Sequence, residues 1–290
     1  MKSLLFLCLL MMSSVLAAQF EDVEISSTHL SGKVHMLEGR GGKLAVSVGE
    51  DGVFLVDDQY APLTDRILAA IAELSGDPVS FVINTHWHGD HIGGNEQLGE
   101  MGAVLVSHDN VRVRMAEDQD WRGRTVPASP KGALPVVTFN DRITFHINGE
   151  TVTAYHAPSA HTDGDSIVHF PESNVIHMGD ALFTGQYPFI DIESGGSVQG
   201  TIAAVQLGLG LCRTGTKVIA GHGPLTNCAG LETYGQLLAD TMERIQELVD
   251  QGKSLDEIKA EKPTSATDEE LGGGFISTEA FVESVYNSLN

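Results

Sequence analysis

Basic residues are scarce in this 290-residue chain, which carries 17 lysines and arginines against 39 aspartates and glutamates and a formal net charge of −22. Such an excess of negative charge repels phosphate backbones and anionic lipid, so we expect neither a nucleic-acid-binding surface nor adsorption to a membrane surface. Cysteine is also rare, and three of them exclude a disulfide-dense scaffold. The remaining composition, 42% hydrophobic and 19% charged, is typical of a globular protein with a substantial core.

Long apolar runs are missing from the sequence except at its amino terminus. There Lys2 precedes the apolar residues 4–12, and small residues follow them. This is the pattern of a cleaved export signal, and it is shorter than the roughly 20 residues that span a bilayer. We therefore predict a signal peptide over residues 1–18, a secreted or periplasmic protein, and no membrane span after cleavage. Cys212 and Cys228 remain in the mature chain, and their spacing leaves open whether they pair.

The rest of the chain, residues 19–290, shows two strand-rich halves that each contain helices. The predicted strands are 33–37, 44–48, 53–56, 79–83, 143–147, 151–155, 166–170, 174–177 and 217–220. The predicted helices are 63–74, 198–211 and 231–250, followed by a helical tail at 255–259 and 279–289. Two such halves favour an α+β fold in which two sheets pack face to face with helices outside. The segment 118–135, rich in proline, glycine and charge, is predicted to be a long loop over a site.

A dense cluster of ligand-type side chains follows the apolar strand that ends near residue 83. His86, His88, Asp90 and His91 fall within six residues. Imidazole and carboxylate are the ligands that zinc prefers where thiolates are lacking. In an extended segment, alternation places His86 and His88 on the same side of the chain. The spacing therefore predicts a metal site at the end of this strand.

The motif His-x-His-x-Asp-His after a strand resembles the signature of the metallo-β-lactamase superfamily. Three further positions match that family's order, namely His161, Asp180 and His222, and the resemblance covers residues 33–225. It implies an αβ/βα four-layer sandwich over the mature chain, with the helical tail at its carboxyl end, and two Zn²⁺ ions per chain. By this resemblance one zinc is held by His86, His88 and His161, the second by Asp90, His91 and His222, and Asp180 joins them.

The resemblance implies a hydrolase in which a metal-bound hydroxide attacks a cyclic amide, ester or thioester of a small-molecule substrate. Asp90 is the expected catalytic residue, because it is both a ligand and close enough to orient the attacking water or carry its proton. Most true class B β-lactamases lack an aspartate equivalent to Asp180, so we expect at most modest β-lactamase activity. Two alternatives stay open: an iron-dependent sulfur dioxygenase of the same fold and a non-catalytic periplasmic metal-binding protein. The oligomeric state is left open.

Residues near the motif are assigned supporting roles. Tyr187 and Phe189 are expected to line the pocket, and Trp87 to pack beneath the motif. Four polar residues are candidates for orienting the ligands: Asp57, Asp58, His156 and His177. The other five histidines are expected on the surface or in packing: His29, His35, His108, His146 and His169.

Overall fold

The computed structural model describes residues 19–289, so the predicted signal peptide lies outside the described residues and stays a prediction. Two large sheets dominate the fold. The first contains, in spatial order, β1 (Ser26–Ser31), β2 (Val34–Glu38), β3 (Leu44–Gly49), β4 (Gly52–Val56), β5 (Val79–Asn84), β6 (Val104–His108) and β9 (Val137–Phe139). The second contains β10 (Arg142–Ile147), β11 (Glu150–His156), β12 (Ser166–Phe170), β13 (Val175–His177), β14 (Lys217–Ile219) and β15 (Thr226–Asn227).

The helices connect and cover these sheets. They are α1 (Thr64–Ala72), α2 (Gly89–Ile92), α3 (Asn95–Glu100), α4 (Asp109–Ala116), α5 (Val198–Leu211), α6 (Cys228–Asp250), α7 (Leu255–Ala260), α8 (Asp268–Leu271) and α9 (Thr278–Leu289). Several start at side chains that cap the free backbone N–H groups. The Ser197 hydroxyl accepts from Gly200 N before α5, and Ser254 and Glu257 form a capping box at α7.

Three apolar clusters define the layers. The central one is formed by residues of both sheets, such as Phe54 and Ile83 from the first and Val168 and Phe170 from the second. A second cluster joins the outer face of the first sheet to α1, and a third joins the outer face of the second sheet to α5, α6 and α9. This order of helix, sheet, sheet and helix confirms the predicted four-layer sandwich, because each sheet buries both of its faces.

Most predicted elements agree with the structure to within one or two residues, but the segment 118–135 does not. In place of an irregular loop it contains a hairpin of β7 (Gln119–Trp121) and β8 (Arg124–Val126) and a 3₁₀ turn at Lys131–Ala133. Arg122 and Gly123 form its two-residue turn with φ of 50° and 72°. Such a turn matches the right-handed twist of two strands. The strands are too short and too polar to produce a periodicity signal, which is why the sequence did not reveal them.

Cys212 and Cys228 form a disulfide, which settles the pairing that the spacing left open. Cys212 lies at the end of α5 and Cys228 opens α6, so the bond links the two long helices that cover the second sheet. Within residues 19–289 we find no helix with the length and apolarity needed to cross a membrane.

Parallel strand pairs bring distant segments to one edge of the sandwich. β4 and β5 are parallel neighbours in the first sheet, and β13 and β14 are parallel neighbours in the second. The carboxyl ends of parallel neighbours meet at the same edge, so the loops that follow them converge there. The candidate site lies in these loops.

Candidate metal centre

The first group of candidate ligands consists of His86, His88, His161 and Asp180, whose ligand atoms all lie within 4.8 Å of one another. His86 and His88 follow β5, His161 follows β11, and Asp180 follows β13. His161 Nε2 lies 2.9 Å from His88 Nδ1 and 3.6 Å from Asp180 Oδ2. All four residues are buried, and only His88 and Asp180 border the cavity described below.

The second group consists of Asp90, His91 and His222, again with ligand atoms within 4.8 Å of one another. Asp90 and His91 belong to α2, directly after the first two histidines, and His222 follows β14. Asp90 Oδ2 lies 3.3 Å from His222 Nε2 and 3.8 Å from His91 Nε2. This group is more open, since the side chains of His222 and Asp90 are 24% and 19% exposed.

Asp180 lies between the two groups and faces both. Its Oδ2 is 3.8 Å from His86 Nε2, 3.6 Å from His161 Nε2 and 3.3 Å from His222 Nε2. Its Oδ1 is 3.2 Å from His91 Nε2. All seven residues singled out in the sequence are therefore brought together, and the position of Asp180 between the groups agrees with the joining role that the resemblance implied.

Two glycines permit this close approach. A Cβ at Gly221 would collide with Asp180 Oδ1, and a Cβ at Gly42 would collide with the His91 ring. Both positions thus require a residue without a side chain. Gly42 belongs to the loop after β2, and no motif placed that loop at the site.

Three inward-facing polar atoms of the two groups lack hydrogen-bond partners among the described residues. His86 Nε2, His91 Nε2 and Asp180 Oδ1 are buried and have no hydrogen bond of acceptable geometry. Buried polar atoms are nearly always satisfied, so three unpaired ones at one point need an explanation. A metal ion that accepts their lone pairs supplies it, and the donor set of imidazole and carboxylate fits zinc.

The outward nitrogens of three histidine rings face hydrogen-bond acceptors. His88 Nε2 donates to Asp191 Oδ2 at 2.9 Å, and His161 Nδ1 donates to the Phe189 carbonyl at 2.7 Å. His91 Nδ1 donates to Asp57 Oδ2 at 2.8 Å. In a neutral ring with its proton on the outer nitrogen, the inner nitrogen turns its lone pair toward the centre, which is the tautomer that binds a metal. Burial alone would lower the pKa of His91, but Asp180, Asp57 and Asp90 raise that pKa well above the usual value. His91 therefore reaches this form only by losing a second proton when the metal binds.

Burial sets the protonation of several of these groups. It lowers the pKa of His86 well below the usual value and the pKa of His161 to about 4, so both rings are neutral at pH 7. Burial by itself would raise the pKa of Asp180, but His222 and His91 beside it hold that pKa well below its usual range. Neutral imidazoles and an ionised carboxylate are the forms that ligate metal.

Asp191 is a supporting residue that the sequence did not reveal. It accepts from His88 Nε2 and also, at 2.8 Å, from Trp121 Nε1 of the β7 strand. It lies in an irregular segment far from His88 in sequence, so no spacing or motif pointed to it. Asp57, in contrast, was a candidate for this role, and the structure confirms that it orients His91 and also accepts from Thr85 N at 2.7 Å.

The other supporting assignments are partly confirmed. Phe189 lines the cavity described below, but Tyr187 does not, because it is fully buried and stacks on Phe281 with ring centroids 4.6 Å apart. The prediction that Tyr187 lines the pocket was therefore wrong. His177 accepts from Gly179 N at 3.1 Å and so fixes the turn that carries Asp180.

Three further assignments concern residues around the motif. Asp58 accepts a hydrogen bond from Gly94 N at 2.7 Å, so it holds the loop after the motif and does not orient a candidate ligand. His156 bonds the Asp165 carbonyl and stacks on His108. Trp87 is 5% exposed and donates to Ser194 Oγ, which agrees with the packing role, although it also borders the cavity. The five histidines assigned to surface or packing lie outside both ligand groups.

A cavity of about 660 Å³ opens over the second group. Its polar floor includes His88, Asp90, Asp180 and His222. Its walls are largely aromatic and come from Tyr60, Trp87, Trp121, Phe183, Phe189 and Phe275. Its volume is in the range of small-molecule sites, and an apolar wall around a few convergent polar groups is typical of them.

Replacing Asp191 with alanine is expected to weaken metal binding at the first group by about 10- to 100-fold, because His88 loses the partner that fixes its ring. Competition with a chromophoric chelator measures this affinity. Asp240→Ala, an exposed carboxylate on α6, is the matched control and should bind metal like the wild type. An unchanged affinity in Asp191→Ala would show that Asp191 does not orient the ligand.

Comparisons with known proteins agree with this geometry. A sequence model of the metallo-beta-lactamase superfamily matches residues 43–223. A hydroxyacylglutathione hydrolase of Erythrobacter litoralis is 27% identical over 113 residues, which are 39% of this chain and 38% of that protein. A metallo-beta-lactamase type 2 of Bacteroides fragilis is 22% identical over 237 residues, which are 76% of this chain and 88% of that protein.

A solved metallo-beta-lactamase from Pontibacter korlensis superposes with a TM-score of 0.62 at 21% identity and covers 75% of this chain and 100% of its own. At that identity the likeness concerns the fold. The chain spans less than half the length of the hydroxyacylglutathione hydrolases that it matches. The family match extends over more than half of the chain and includes all seven candidate ligands, and so the chain belongs to the metallo-beta-lactamase superfamily.

Proposed function

We propose that this protein is a zinc-dependent hydrolase with two Zn²⁺ ions per chain that acts on a small ester, thioester or cyclic amide. The observation that carries the proposal is the pair of His and Asp groups joined by Asp180. Seven ligands are more than one tetrahedral ion uses, and two groups around a shared carboxylate suit a pair of ions. Among the similar proteins, one is named hydroxyacylglutathione hydrolase and another, of Aspergillus terreus, is named an ACP thioesterase.

The ligands would divide between two ions as the groups do. His86, His88 and His161 would hold the first ion, and Asp90, His91 and His222 the second, with Asp180 shared. Bound zinc lowers the pKa of a coordinated water toward neutrality and polarises a carbonyl oxygen, which is the chemistry that hydrolysis at neutral pH needs.

We assign to Asp90 the role of orienting the attacking water and taking up its proton. Burial would raise its pKa, but His91 and His222 lower it below the usual value, so the carboxylate is ionised at neutral pH. Its side chain borders the cavity and stays partly exposed, so a water in the cavity can reach the carboxylate. An ionised carboxylate in that position orients the attacking water by accepting its hydrogen bond and passes its proton on.

The aromatic walls bind the rest of the substrate and exclude water. Phe183 stacks on the His222 ring with centroids 5.2 Å apart and Phe189 stacks on His88 at 5.9 Å, so the apolar surface begins directly at the candidate ligands. Burying an apolar substrate group there is favourable by about 25 cal/mol per Å² of surface removed from water. Binding energy of this kind positions the carbonyl next to the nucleophile.

Asp180 also bears on the choice of substrate. A shared carboxylate adds negative charge at the point where the second ion would stabilise the nitrogen anion that leaves a β-lactam ring. We therefore expect turnover of esters, lactones or thioesters to exceed turnover of β-lactams.

Metal content and activity test the proposal together. The mature protein reconstituted with zinc should hold two ions per chain by elemental analysis and hydrolyse at least one of a lactone, a thioester and nitrocefin. The same protein after chelation is the control and should be inactive. One ion per chain, or mainly iron after expression without added metal, would favour the dioxygenase alternative. Two zinc ions without hydrolysis of any substrate would favour a metal-binding protein.

A further inference from the structure

The mouth of the cavity is positively charged in a strongly acidic protein. Arg40, Arg122 and Arg124 line it, although the chain has only 17 basic residues against 39 acidic ones. The acidic residues that line the cavity are Asp90 and Asp180, and both belong to the candidate ligand groups. Surface charge in proteins of this composition is mostly negative, so three arginines around one opening are a local reversal of the field.

The guanidinium groups of the two hairpin arginines form no ion pair among the described residues. Over residues 19–289, no carboxylate oxygen lies within 4.0 Å of the guanidinium of Arg122 or Arg124. Glu193 is close by, but it accepts the backbone N–H of Arg122 at 2.6 Å and not its side chain. Arg40 differs, because its Nη1 donates to the Gln19 carbonyl at 2.8 Å.

Aromatic rings fix Arg122 at the opening without removing its charge. Its guanidinium lies 5.6 Å from the Trp121 ring centre, 5.4 Å from that of Phe189 and 5.5 Å from that of Phe275. A guanidinium held by cation–π contacts keeps its N–H groups free for a ligand. Phe275 is 68% exposed, so a large apolar surface stands beside this charge at the entrance.

We propose that the substrate of this site carries a carboxylate, remote from the bond that is hydrolysed, and that Arg122 and Arg124 bind this carboxylate while the aromatic walls hold the apolar part between. The proposal rests on the hydrolase function proposed above and specifies its substrate class. A planar guanidinium donates two parallel N–H groups to a carboxylate, which makes it selective for this anion over a neutral group of equal shape.

A matched pair of substrates tests the proposal: the mono-4-nitrophenyl ester of adipic acid and its terminal carboxamide, which differ only in the remote charge. For the zinc-loaded wild type, we expect kcat/KM for the acid to exceed that for the carboxamide at least about tenfold.

The double variant, Arg122→Gln with Arg124→Gln, should raise KM for the acid by about tenfold and leave KM for the carboxamide unchanged. Arg122→Lys keeps the positive charge, so it should raise KM for the acid less than the double variant does. The control for net charge is Arg142→Gln with Lys131→Gln, which removes two exposed positive charges outside the cavity and should behave as the wild type.

Equal kcat/KM for the two esters, or a parallel change of both in the arginine variants, would overturn the proposal. If neither ester is hydrolysed, the proposed hydrolase function is in doubt, and the anion site is then judged by binding. The chain's two tryptophans, Trp87 and Trp121, both line the cavity, so their fluorescence reports occupancy. Adipate should give a saturable change that adipamide does not, and the double variant should weaken it about tenfold. No difference between adipate and adipamide would exclude the carboxylate site on its own.

Discussion

Replacing Asp90 with asparagine is expected to lower kcat by about 10²- to 10⁴-fold, the range typical of a lost general acid–base group. Asparagine keeps the shape and one oxygen but cannot take up a proton, and it removes the charge that faces His222 Nε2 at 3.3 Å. Metal should therefore stay partly bound while turnover nearly disappears. Steady-state kinetics on the best substrate, with elemental analysis of the same sample, measure both effects.

The control for this variant is the same substitution at a carboxylate outside the site. Asp256 lies on the exposed first turn of α7, and Asp256→Asn should keep wild-type kinetics and metal content. A wild-type kcat in Asp90→Asn would show that Asp90 neither orients the water nor carries its proton. A complete loss of metal would instead assign Asp90 a purely ligating role.

If the chain holds two metal ions as proposed, His161→Ala is expected to remove one of them and reduce hydrolysis to the uncatalysed level. His161 follows a strand of the second sheet, whereas His86 and His88 follow a strand of the first. It thus closes the first ligand group across the two sheets, and removing it leaves two histidines and the shared carboxylate of Asp180 for the first ion. Elemental analysis should fall from two ions to about one per chain, because incomplete ligand sets bind zinc weakly.

His146→Ala is the matched substitution for this experiment, since His146 is an exposed residue of β10 outside both ligand groups. It should retain two ions and full activity. Two ions and unchanged hydrolysis in His161→Ala would contradict the ligand assignment. Circular dichroism of both variants separates loss of metal from loss of fold.

Local sequence determined most of the elements and all seven candidate ligands. Strands such as Ser166–Phe170 and helices such as Val198–Leu211 follow from apolar periodicity, which depends on residues a few positions apart. The cluster from His86 to His91 is also local, and the order of His161, Asp180 and His222 after it carries the family resemblance. Because these ligands follow strand ends, and strand ends converge at one edge of the sandwich, the centre was predictable before the fold was known.

Tertiary structure decided what surrounds the centre. Asp191 reaches His88 only through the folding of an irregular segment, and the Trp121 and Arg122 hairpin forms the cavity wall although its strands have three residues each. Tyr187 lies between Gln186 and Phe189, which both line the cavity, yet it packs into the core against Phe281. Each of these positions depends on contacts between residues far apart in the chain, and such contacts leave no periodic or short-range pattern in the sequence. The sequence alone therefore specified the chemistry of the centre, whereas long-range packing determined its orientation, its cavity and the charge at its entrance.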